Sequence, residues 1–428
     1  MKMSYTTETA KYIDLERNGL SESVNENIRR NRMSSVRIKA VKEDGTPISN
    51  AKVEINQTAS DFRVGCNAFM INQFDTDEEQ EKYDEAFKKL FNQAVVSFYW
   101  RDDEPEEEVY RFDKGSSKIY RRPPADESLE WCEKYGIEPK GHNLVWPNRS
   151  IGLPQWLPED KKKIQRKINE RIKMIADRYA EKIPVWDVCN EVSDYTYDYM
   201  PEEYDTKAFV LADKLFPDNH LILNDYHSFY DGSFKGKNSP LYQIAQKIRY
   251  GGGRIDGIGI QHHLFIKEEN INNPTDQLNA EKILKMARTY SELTDSLHFS
   301  EITIPSYDST EEKLSAQAKI VENFYRLCFS IKAVKSIVWW NLVDGYAYGS
   351  ETYYGGGLLK HDFTPKPAYD VLDRLINKEW KTNLETATDE NGYCTAEAFH
   401  GDYNVTINGK TYSAHIGEDT DAVEIICG

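Results

Sequence analysis

The middle of the chain alternates short apolar runs with amphipathic helical stretches, and this alternation constrains the fold more than any other feature. Eight apolar runs have strand length, and a segment of helical periodicity follows each one. The runs are Arg63 to Phe69, Ala94 to Trp100, Pro139 to Trp146, Pro184 to Glu191, His220 to Tyr226, Gly257 to His263, Leu297 to Ile304 and Ser336 to Asp344. Eight such units predict an α/β fold, a (β/α)8 TIM barrel over residues 61–382.

The helical periodicity is clearest after the third strand. Ile164, Ile168, Ile172 and Ile175 follow one another at intervals of four, four and three residues, which places them on one helix face. Further helices are predicted near residues 78–92, 125–135, 203–216, 241–250, 278–293, 312–330 and 367–379.

The two ends of the chain have a different pattern. Residues 1–33 are typical of a solvent-exposed helical arm, whereas residues 34–60 alternate apolar and polar side chains on both sides of an EDGTP turn, which predicts a β-hairpin. Residues 383–428 place turn signals between short alternating strands. Because two or three strands bury little apolar surface alone, we expect both end segments to pack together as a small accessory β-sandwich.

Composition excludes several classes of partner. The chain has 54 Lys and Arg against 71 Asp and Glu, a formal net charge of −17. Nucleic acids and anionic membranes attract clustered basic residues, so we expect neither as a partner. No apolar run approaches the roughly 18 residues needed to span a bilayer.

The cysteines indicate a reducing compartment. The six cysteines are scattered and form no C-x-x-C pair. The first twenty residues contain no apolar stretch of signal-peptide length. These features predict a cytoplasmic protein with reduced thiols, or a secreted one if a leader has been removed.

Two carboxylates close apolar runs where barrel active sites lie, at the C-terminal ends of the strands. Glu191 ends the fourth strand beside Asn190, and Glu301 lies in the seventh, so we expect them to face each other across the mouth. Glycosidic cleavage uses one protonated and one ionised carboxyl group. We assign Glu191, which we expect near Trp186, as acid/base and Glu301 as nucleophile; taken singly, either could instead cap a helix or pair with an arginine.

Histidines and aromatic residues end three other strands. The third strand carries His142 and Trp146, and the sixth carries Gln261, His262 and His263. We expect His263 to orient Glu301, whereas His262 has the pattern of a structural residue.

The eighth strand contains adjacent tryptophans, Trp339 and Trp340. At least one of them is expected in the core, and the other can stack on the apolar face of a sugar.

A metal site is the less favoured interpretation of the same end of the barrel. Asp225, His227, His262 and His263 have suitable donor atoms. However, adjacent strand residues point to opposite faces, and no H-E-x-x-H or paired-cysteine motif is present. The sequence therefore indicates no metal and no cofactor.

Several motifs in matching order resemble glycoside hydrolase family 10, best known for endo-β-1,4-xylanases. The motifs are WDVCNE, LILNDY, IDGIGIQHHL, SEI before a Thr, VWWNLVDGYAY and GLLKHDFTPKPAYDVL, and the likeness spans residues from about 60 to 380. The resemblance implies a retaining double displacement, with Glu191 as acid/base and Glu301 as nucleophile. It also implies that the glycan is bound by His142, Trp146, Asn190, Gln261, His263 and Trp340.

The sequence departs from this family beside the second and third strands. Where members carry E-N-E-x-K-W, this chain has VVSFYWRDDEPEEE, so the Asn and Lys that grip the sugar on the non-reducing side are absent. Pro147 replaces a histidine. Arg101, Arg121 or Arg122 could supply replacement donors, and the alternative is that they are surface charges.

The sequence therefore predicts a retaining glycoside hydrolase that acts on a neutral β-linked plant glycan, β-1,4-xylan or xylo-oligosaccharides. Two alternatives stay open: the same chemistry on another β-glycan or a decorated oligosaccharide, and a carbohydrate-binding barrel without catalysis.

Overall fold

The structure is a computed structural model that describes residues 5–194, 198–226, 228–229, 233–271 and 276–428. Within these ranges the protein has fifteen strands. In chain order they are β1 (Met33–Lys42), β2 (Lys52–Ser60), β3 (Arg63–Asn67), β4 (Gln93–Ser97), β5 (Glu138–Val145), β6 (Val185–Asn190), β7 (His220–Asp225), β8 (Gly257–His263), β9 (Leu297–Thr303), β10 (Val334–Trp339), β11 (Asn383–Ala387), β12 (Tyr393–Phe399), β13 (Gly401–Ile407), β14 (Lys410–Ile416) and β15 (Ala422–Cys427).

Ten α-helices lie in the same described ranges. They are α1 (Ser21–Arg32), α2 (Asp77–Leu90), α3 (Trp100–Asp103), α4 (Ala125–Tyr135), α5 (Lys161–Tyr179), α6 (Tyr204–Leu215), α7 (Pro240–Tyr250), α8 (Ala280–Tyr290), α9 (Glu311–Ser330) and α10 (Pro367–Arg374). None of these helices is long and apolar enough to cross a lipid bilayer.

The eight strands β3 to β10 close into a parallel barrel in chain order, with β10 paired to β3. A helix follows every strand, so the predicted (β/α)8 barrel is confirmed, and its strands begin within two residues of the predicted positions. The strands that carry the two carboxylates, β6 and β9, are separated by β7 and β8. They therefore flank one sector of the mouth and do not face each other across the full diameter, as the sequence had led us to expect.

The terminal strands form two sheets with the orders β12-β1-β15 and β11-β2-β13-β14. Val36, Val53 and Val405 belong to one buried cluster between the sheets, so strands from both ends of the chain form the expected accessory sandwich. The predicted hairpin of β1 and β2 is wrong, because the two strands lie in different sheets. Their apolar faces meet across the core, and each strand pairs with strands from the C-terminal segment.

Residues 5–33, the described part of the predicted arm, are not solvent-exposed as a whole. Val24 and Ile28, four residues apart on α1, are buried in the barrel's hydrophobic cluster. Arg32 is also buried, and its guanidinium donates to the backbone carbonyls of Phe329, in the last turn of α9, and of Ile331 and Val334, which follow α9, at 2.6–2.7 Å. The buried apolar face of α1 and the three hydrogen bonds of Arg32 thus attach this segment to the barrel.

Candidate active site

A cleft of about 590 Å³ opens at the C-terminal ends of the barrel strands. All eight residues assigned to the site from the sequence line it: His142, Trp146, Asn190, Glu191, Gln261, His263, Glu301 and Trp340. The cleft lies where the loops that follow the strands meet, which is the usual position of an active site in this fold.

Glu301, near the end of β9, is held by hydrogen-bond donors from β7 and β8. Its Oε1 accepts a hydrogen bond from Asn224 Nδ2 at 2.8 Å, and its Oε2 is 3.1 Å from His263 Nε2. If Nε2 carries the proton, the other ring nitrogen of His263 accepts from the Thr303 hydroxyl at 2.9 Å. His263 therefore lies where the sequence predicted it, positioned to orient a 4 % exposed carboxylate.

Glu191 follows β6 directly and has a different environment. Its carboxylate accepts hydrogen bonds from Trp146 Nε1 at 2.9 Å and Gln261 Nε2 at 3.2 Å. Desolvation, followed by the nearby negative charge of Glu301, raises the pKa of Glu191 to about 8. Glu191 also has a left-handed backbone (φ 53°), a conformation that costs free energy and often occurs at functional positions.

The tryptophan beside Glu191 is Trp146, not Trp186 as expected from the sequence. Trp186 packs against Phe98 and Phe216, and its Nε1 donates to a backbone carbonyl at 3.0 Å. A Cβ on Gly141 would lie 2.3 Å from the Trp186 ring, so this glycine makes room for it. The adjacent residue Asp187 points to His142, so Trp186 points to the other face of β6 and away from the cleft.

An amide network joins the two carboxylates. Asn190 Oδ1 accepts from Asn224 Nδ2 at 2.8 Å and from Gln261 Nε2 at 3.1 Å, and these two donors also contact Glu301 and Glu191. Asn224 was not among the predicted site residues. Asn224 is a polar residue that directly follows the apolar run Leu221–Leu223. The same search for polar residues at the ends of apolar runs that identified the two carboxylates could therefore have found it.

A second buried chain supports His142, and sequence analysis missed most of it. His142 Nδ1 is 2.8 Å from Asp187 Oδ2, and Lys140 Nζ is 2.9 Å from Asp187 Oδ1. Burial raises the pKa of Asp187, but the charge of Lys140 and the hydrogen bond from His142 outweigh burial and leave the pKa lowered. His142 Nε2 is then directed toward Glu301 Oε1, 3.9 Å away.

Aromatic rings form the other wall of the cleft. Trp340 packs edge-on against His142, His263 and Phe69, with ring centroids 5.4–5.8 Å apart. Trp339 is fully buried and donates to two backbone carbonyls, so one tryptophan of the pair is in the core and the other lines the cleft. Phe69 and Tyr99, which sequence analysis did not select, also line it.

The three arginines near the altered motif have different positions. Arg121 and Arg122 line the cleft and are only 2 % and 6 % exposed, so they are not surface charges. Arg101 is half-buried outside the cleft lining and its Nε donates to Asp102 at 3.0 Å.

His262 lies away from the site, as expected. Its ring contacts Phe229, Phe299 and Phe324, and burial lowers its pKa to about 3. His227 lies outside the described residues. Within the described ranges, no three His, Cys, Asp or Glu side chains come together as a metal site would require.

The geometry thus combines a carboxyl group that keeps its proton at neutral pH with a carboxylate fixed by two donors, both beside one aromatic wall. A sugar ring bound between them would meet a proton donor on one side and a nucleophile on the other. This pairing is the requirement for acid-assisted displacement at an anomeric carbon.

Known proteins resemble this chain over most of its length. Endo-1,4-beta-xylanase B of Thermotoga neapolitana is 27% identical over 328 residues, which cover 72% of this chain and 88% of that protein. The endo-1,4-beta-xylanase 5-like protein of Arabidopsis thaliana is 26% identical over 418 residues, 92% of this chain and 67% of that protein.

Solved structures share the fold. The crystal structure of xylanase 10B from Thermotoga petrophila RKU-1 in complex with xylobiose superposes with a TM-score of 0.59 at 23% identity, covering 76% of this chain and 98% of that one. The sequence model of glycosyl hydrolase family 10 matches residues 56–374, which include the whole barrel and every cleft residue described above. The chain therefore belongs to glycosyl hydrolase family 10.

Proposed function

We propose that this glycoside hydrolase cleaves β-1,4-linked xylan or xylo-oligosaccharides with retention of anomeric configuration. The observation that carries the proposal is the contrast between the two cleft carboxyl groups: Glu191 has a pKa raised to about 8, whereas Glu301 is hydrogen-bonded by Asn224 and His263. The relatives named endo-1,4-beta-xylanase support xylan as the substrate class.

The reaction begins with Glu301 Oε attacking the anomeric carbon. As this bond forms, the bond from the anomeric carbon to the leaving oxygen breaks, and Glu191 donates its proton to that oxygen. Glu191, now ionised, takes a proton from water, and the hydroxide oxygen attacks the same carbon. As this bond forms, the glycosyl ester bond to Glu301 breaks, which leaves Glu301 ionised and Glu191 protonated as at the start. Two inversions give net retention.

Proton NMR of the first product tests the stereochemistry directly. We expect β-anomer to accumulate first from a xylo-oligosaccharide and to mutarotate afterwards. Initial α-anomer would overturn the retaining mechanism. Release of reducing sugar from a β-glucan panel but not from xylan would keep the chemistry and overturn the proposed sugar.

Two substitutions test the assigned roles. Glu301→Gln removes the nucleophile and should lower kcat by roughly 10⁴-fold or more. On an aryl β-xyloside whose leaving group needs no protonation, Glu191→Ala should be rescued by azide, because this anion attacks the glycosyl-enzyme without a general base and forms a β-glycosyl azide. The matched control is Glu312→Gln, an exposed carboxylate on α9, which should leave kcat unchanged. Full activity of Glu301→Gln, or no azide adduct with Glu191→Ala, would remove the corresponding assignment.

A carbohydrate-binding barrel without catalysis is the competing hypothesis. The raised pKa of Glu191 argues against it, because a binding site does not need a buried acid beside a second carboxylate. Oligosaccharide binding without any product after long incubation would favour this alternative.

We also propose a reducing compartment for the protein. All six cysteines lie in the described ranges as free thiols, and five of them are buried.

A further inference from the structure

Arg121 and Arg122 form a charged region of the cleft that a neutral xylan backbone does not require; we call it the arginine pair. Both side chains line the cleft, and both are more than nine-tenths buried. Removing two adjacent guanidinium ions from water is costly unless an anion compensates them. The placement of the pair therefore points to a ligand with negative charge.

The pair lies beside the reaction centre, one aromatic ring away. The guanidinium of Arg122 stacks on the Tyr99 ring, 3.8 Å from its centroid. On its other sides Tyr99 contacts His142 and Trp146, with ring centroids 5.7 and 5.2 Å apart. Because Trp146 hydrogen-bonds Glu191, a sugar next to the reacting one would lie against Tyr99 and the pair.

The hydrogen bonds of the pair leave donors unused. Arg122 donates hydrogen bonds from Nε to Asp102 at 3.0 Å and from Nη1 to the Arg121 carbonyl at 2.8 Å. Its Nη2 donates to no acceptor among the described residues. Arg121 donates from Nη1 to the Tyr346 carbonyl and from Nη2 to Asn341 Oδ1 at 2.9 Å, and its Nε is buried without a partner in the described part of the chain. A bound oxyanion would use this free donor capacity.

The carboxylates beside the arginine pair are shared with other groups or reach the pair indirectly. Asp102 accepts from both Arg101 and Arg122, so one carboxylate serves two guanidinium ions. Glu351 is joined to Arg121 through Asn341, whose Nδ2 donates to Glu351 Oε2 at 3.0 Å. Arg122 thus shares its carboxylate with a third arginine, and Arg121 reaches Glu351 only through the Asn341 amide.

The backbone of Arg121 provides an independent indication. Its φ of +60° lies in the left-handed region, although Arg121 is not a glycine. Such strain persists where surrounding contacts hold it and is concentrated at ligand-binding positions. With this backbone conformation at Arg121, the side chains of two consecutive arginines both line the cleft.

We propose that the arginine pair is a subsite for a uronic acid unit of the glycan, whose carboxylate binds the planar guanidinium of Arg122 beside the reacting sugar. Guanidinium and carboxylate groups match as planar forks, which favours arginine over lysine for this role. This inference rests on the proposed function, because it assigns the substrate class of the same cleft.

Binding to the inactive Glu301→Gln protein tests the proposal separately from catalysis. The probes are a xylo-oligosaccharide carrying one glucuronic acid and its carboxyl-reduced twin, in which only the charge is lost. We expect calorimetry to give about tenfold or tighter binding of the acidic probe, as for hydrogen bonds to charged groups, with a preference that weakens in salt.

Substitutions locate the preference. Adding Arg122→Gln should reduce it to about twofold or less, and Arg122→Lys, which keeps the charge but loses the fork, should leave an intermediate preference. Arg166→Gln on the exposed face of α5 is the matched loss of charge and should leave the preference intact. A sulfated xylo-oligosaccharide without a uronic acid that binds as tightly as the uronate would extend the subsite to a general oxyanion and overturn its restriction to uronates.

Equal affinity for the twin probes, binding of neither at millimolar concentration, or an unchanged preference in Arg122→Gln would each overturn the subsite. Hydrolysis of neutral xylo-oligosaccharides by the unsubstituted enzyme, measured in parallel, reports on the proposed function alone. The two conclusions can therefore fail independently.

Discussion

At the scale of single residues, two side chains of the same type acquire different chemistry from their neighbours. Glu191 is desolvated beside Glu301 and Trp146, and its pKa rises to about 8. Glu301 instead accepts from Asn224 and is oriented by His263. The roles of acid and nucleophile thus follow from environment rather than from side-chain type.

The alkaline limit of activity should follow the pKa of Glu191. We expect kcat/KM to fall as pH rises through about 8, because the acid loses its proton. The Trp146 hydrogen bond favours the ionised form, so Trp146→Phe should move the alkaline limb to higher pH. A pH profile of both proteins measures the shift, and a limb that stays fixed or moves to lower pH would contradict this assignment.

The pH dependence of folding stability should also reflect the raised pKa of Glu191. The pKa of Glu191 is raised on folding, from 4.5 to about 8, so its protonation favours the folded state below pH 4.5, and this contribution is lost as pH rises through about 8. Glu191→Gln has no titrating group at this position. Between pH 4.5 and about 8, its free energy of unfolding relative to that of the unsubstituted protein should therefore increase by at least about 1 kcal/mol. Denaturant unfolding at pH 5 and pH 8 measures the gain, and a constant difference would argue against the raised pKa.

At the scale of secondary-structure elements, the chain ends are fixed by contacts distant in sequence. The segment around α1 packs on α9, and β1 and β2 each pair with strands more than 300 residues away. Local patterns predicted that these elements exist, but not which partners they take.

Arg32 should contribute substantially to the attachment of α1. Arg32→Ala leaves the carbonyls of Phe329, Ile331 and Val334 without their donor, and we expect a loss of about 2–4 kcal/mol. Thermal unfolding measures it, with the exposed Arg30→Ala as a control that should change stability little. Equal melting temperatures for the two variants would mean that the hydrogen bonds of Arg32 do not stabilise the attachment of α1.

The accessory sandwich should need both chain ends. A chain ending at residue 382 lacks every pairing partner of β1 and β2, and we expect a lower melting temperature or loss of folding. Val405→Ala tests the same core without truncation and should cost about 2 kcal/mol, with no change in kcat at 25 °C.

Thr411→Ala on the exposed side of β14 is the matched control for that core substitution. Undiminished thermal stability of the truncated chain, or equal stability of Val405→Ala and Thr411→Ala, would mean that the two ends do not share a core.

At the scale of the whole molecule, one barrel core and one smaller sandwich core bury five of the six cysteines. Cys66, Cys189 and Cys328 lie inside the barrel cluster, where desolvation raises their thiol pKa values. The scaffold thus keeps thiol chemistry away from the cleft.

Thiol titration should follow global unfolding. We expect at most one thiol, Cys427, to react quickly in the native protein, and all six to react in denaturant. A colorimetric thiol reagent counts both states. Fewer than six thiols in the denatured, unreduced protein would reveal a disulfide and contradict the proposed reducing compartment.

The sequence by itself determined the barrel and its two carboxylates, because hydrophobic periodicity is local and parallel strands bring their ends to one face. The tertiary structure alone decided that Trp146 contacts Glu191, that Arg121 and Arg122 are buried in the cleft, and that β1 and β2 separate into two sheets. These features depend on partners far apart along the chain. Periodicity carries no information about such pairings, since packing and charge compensation select them only after the elements have formed.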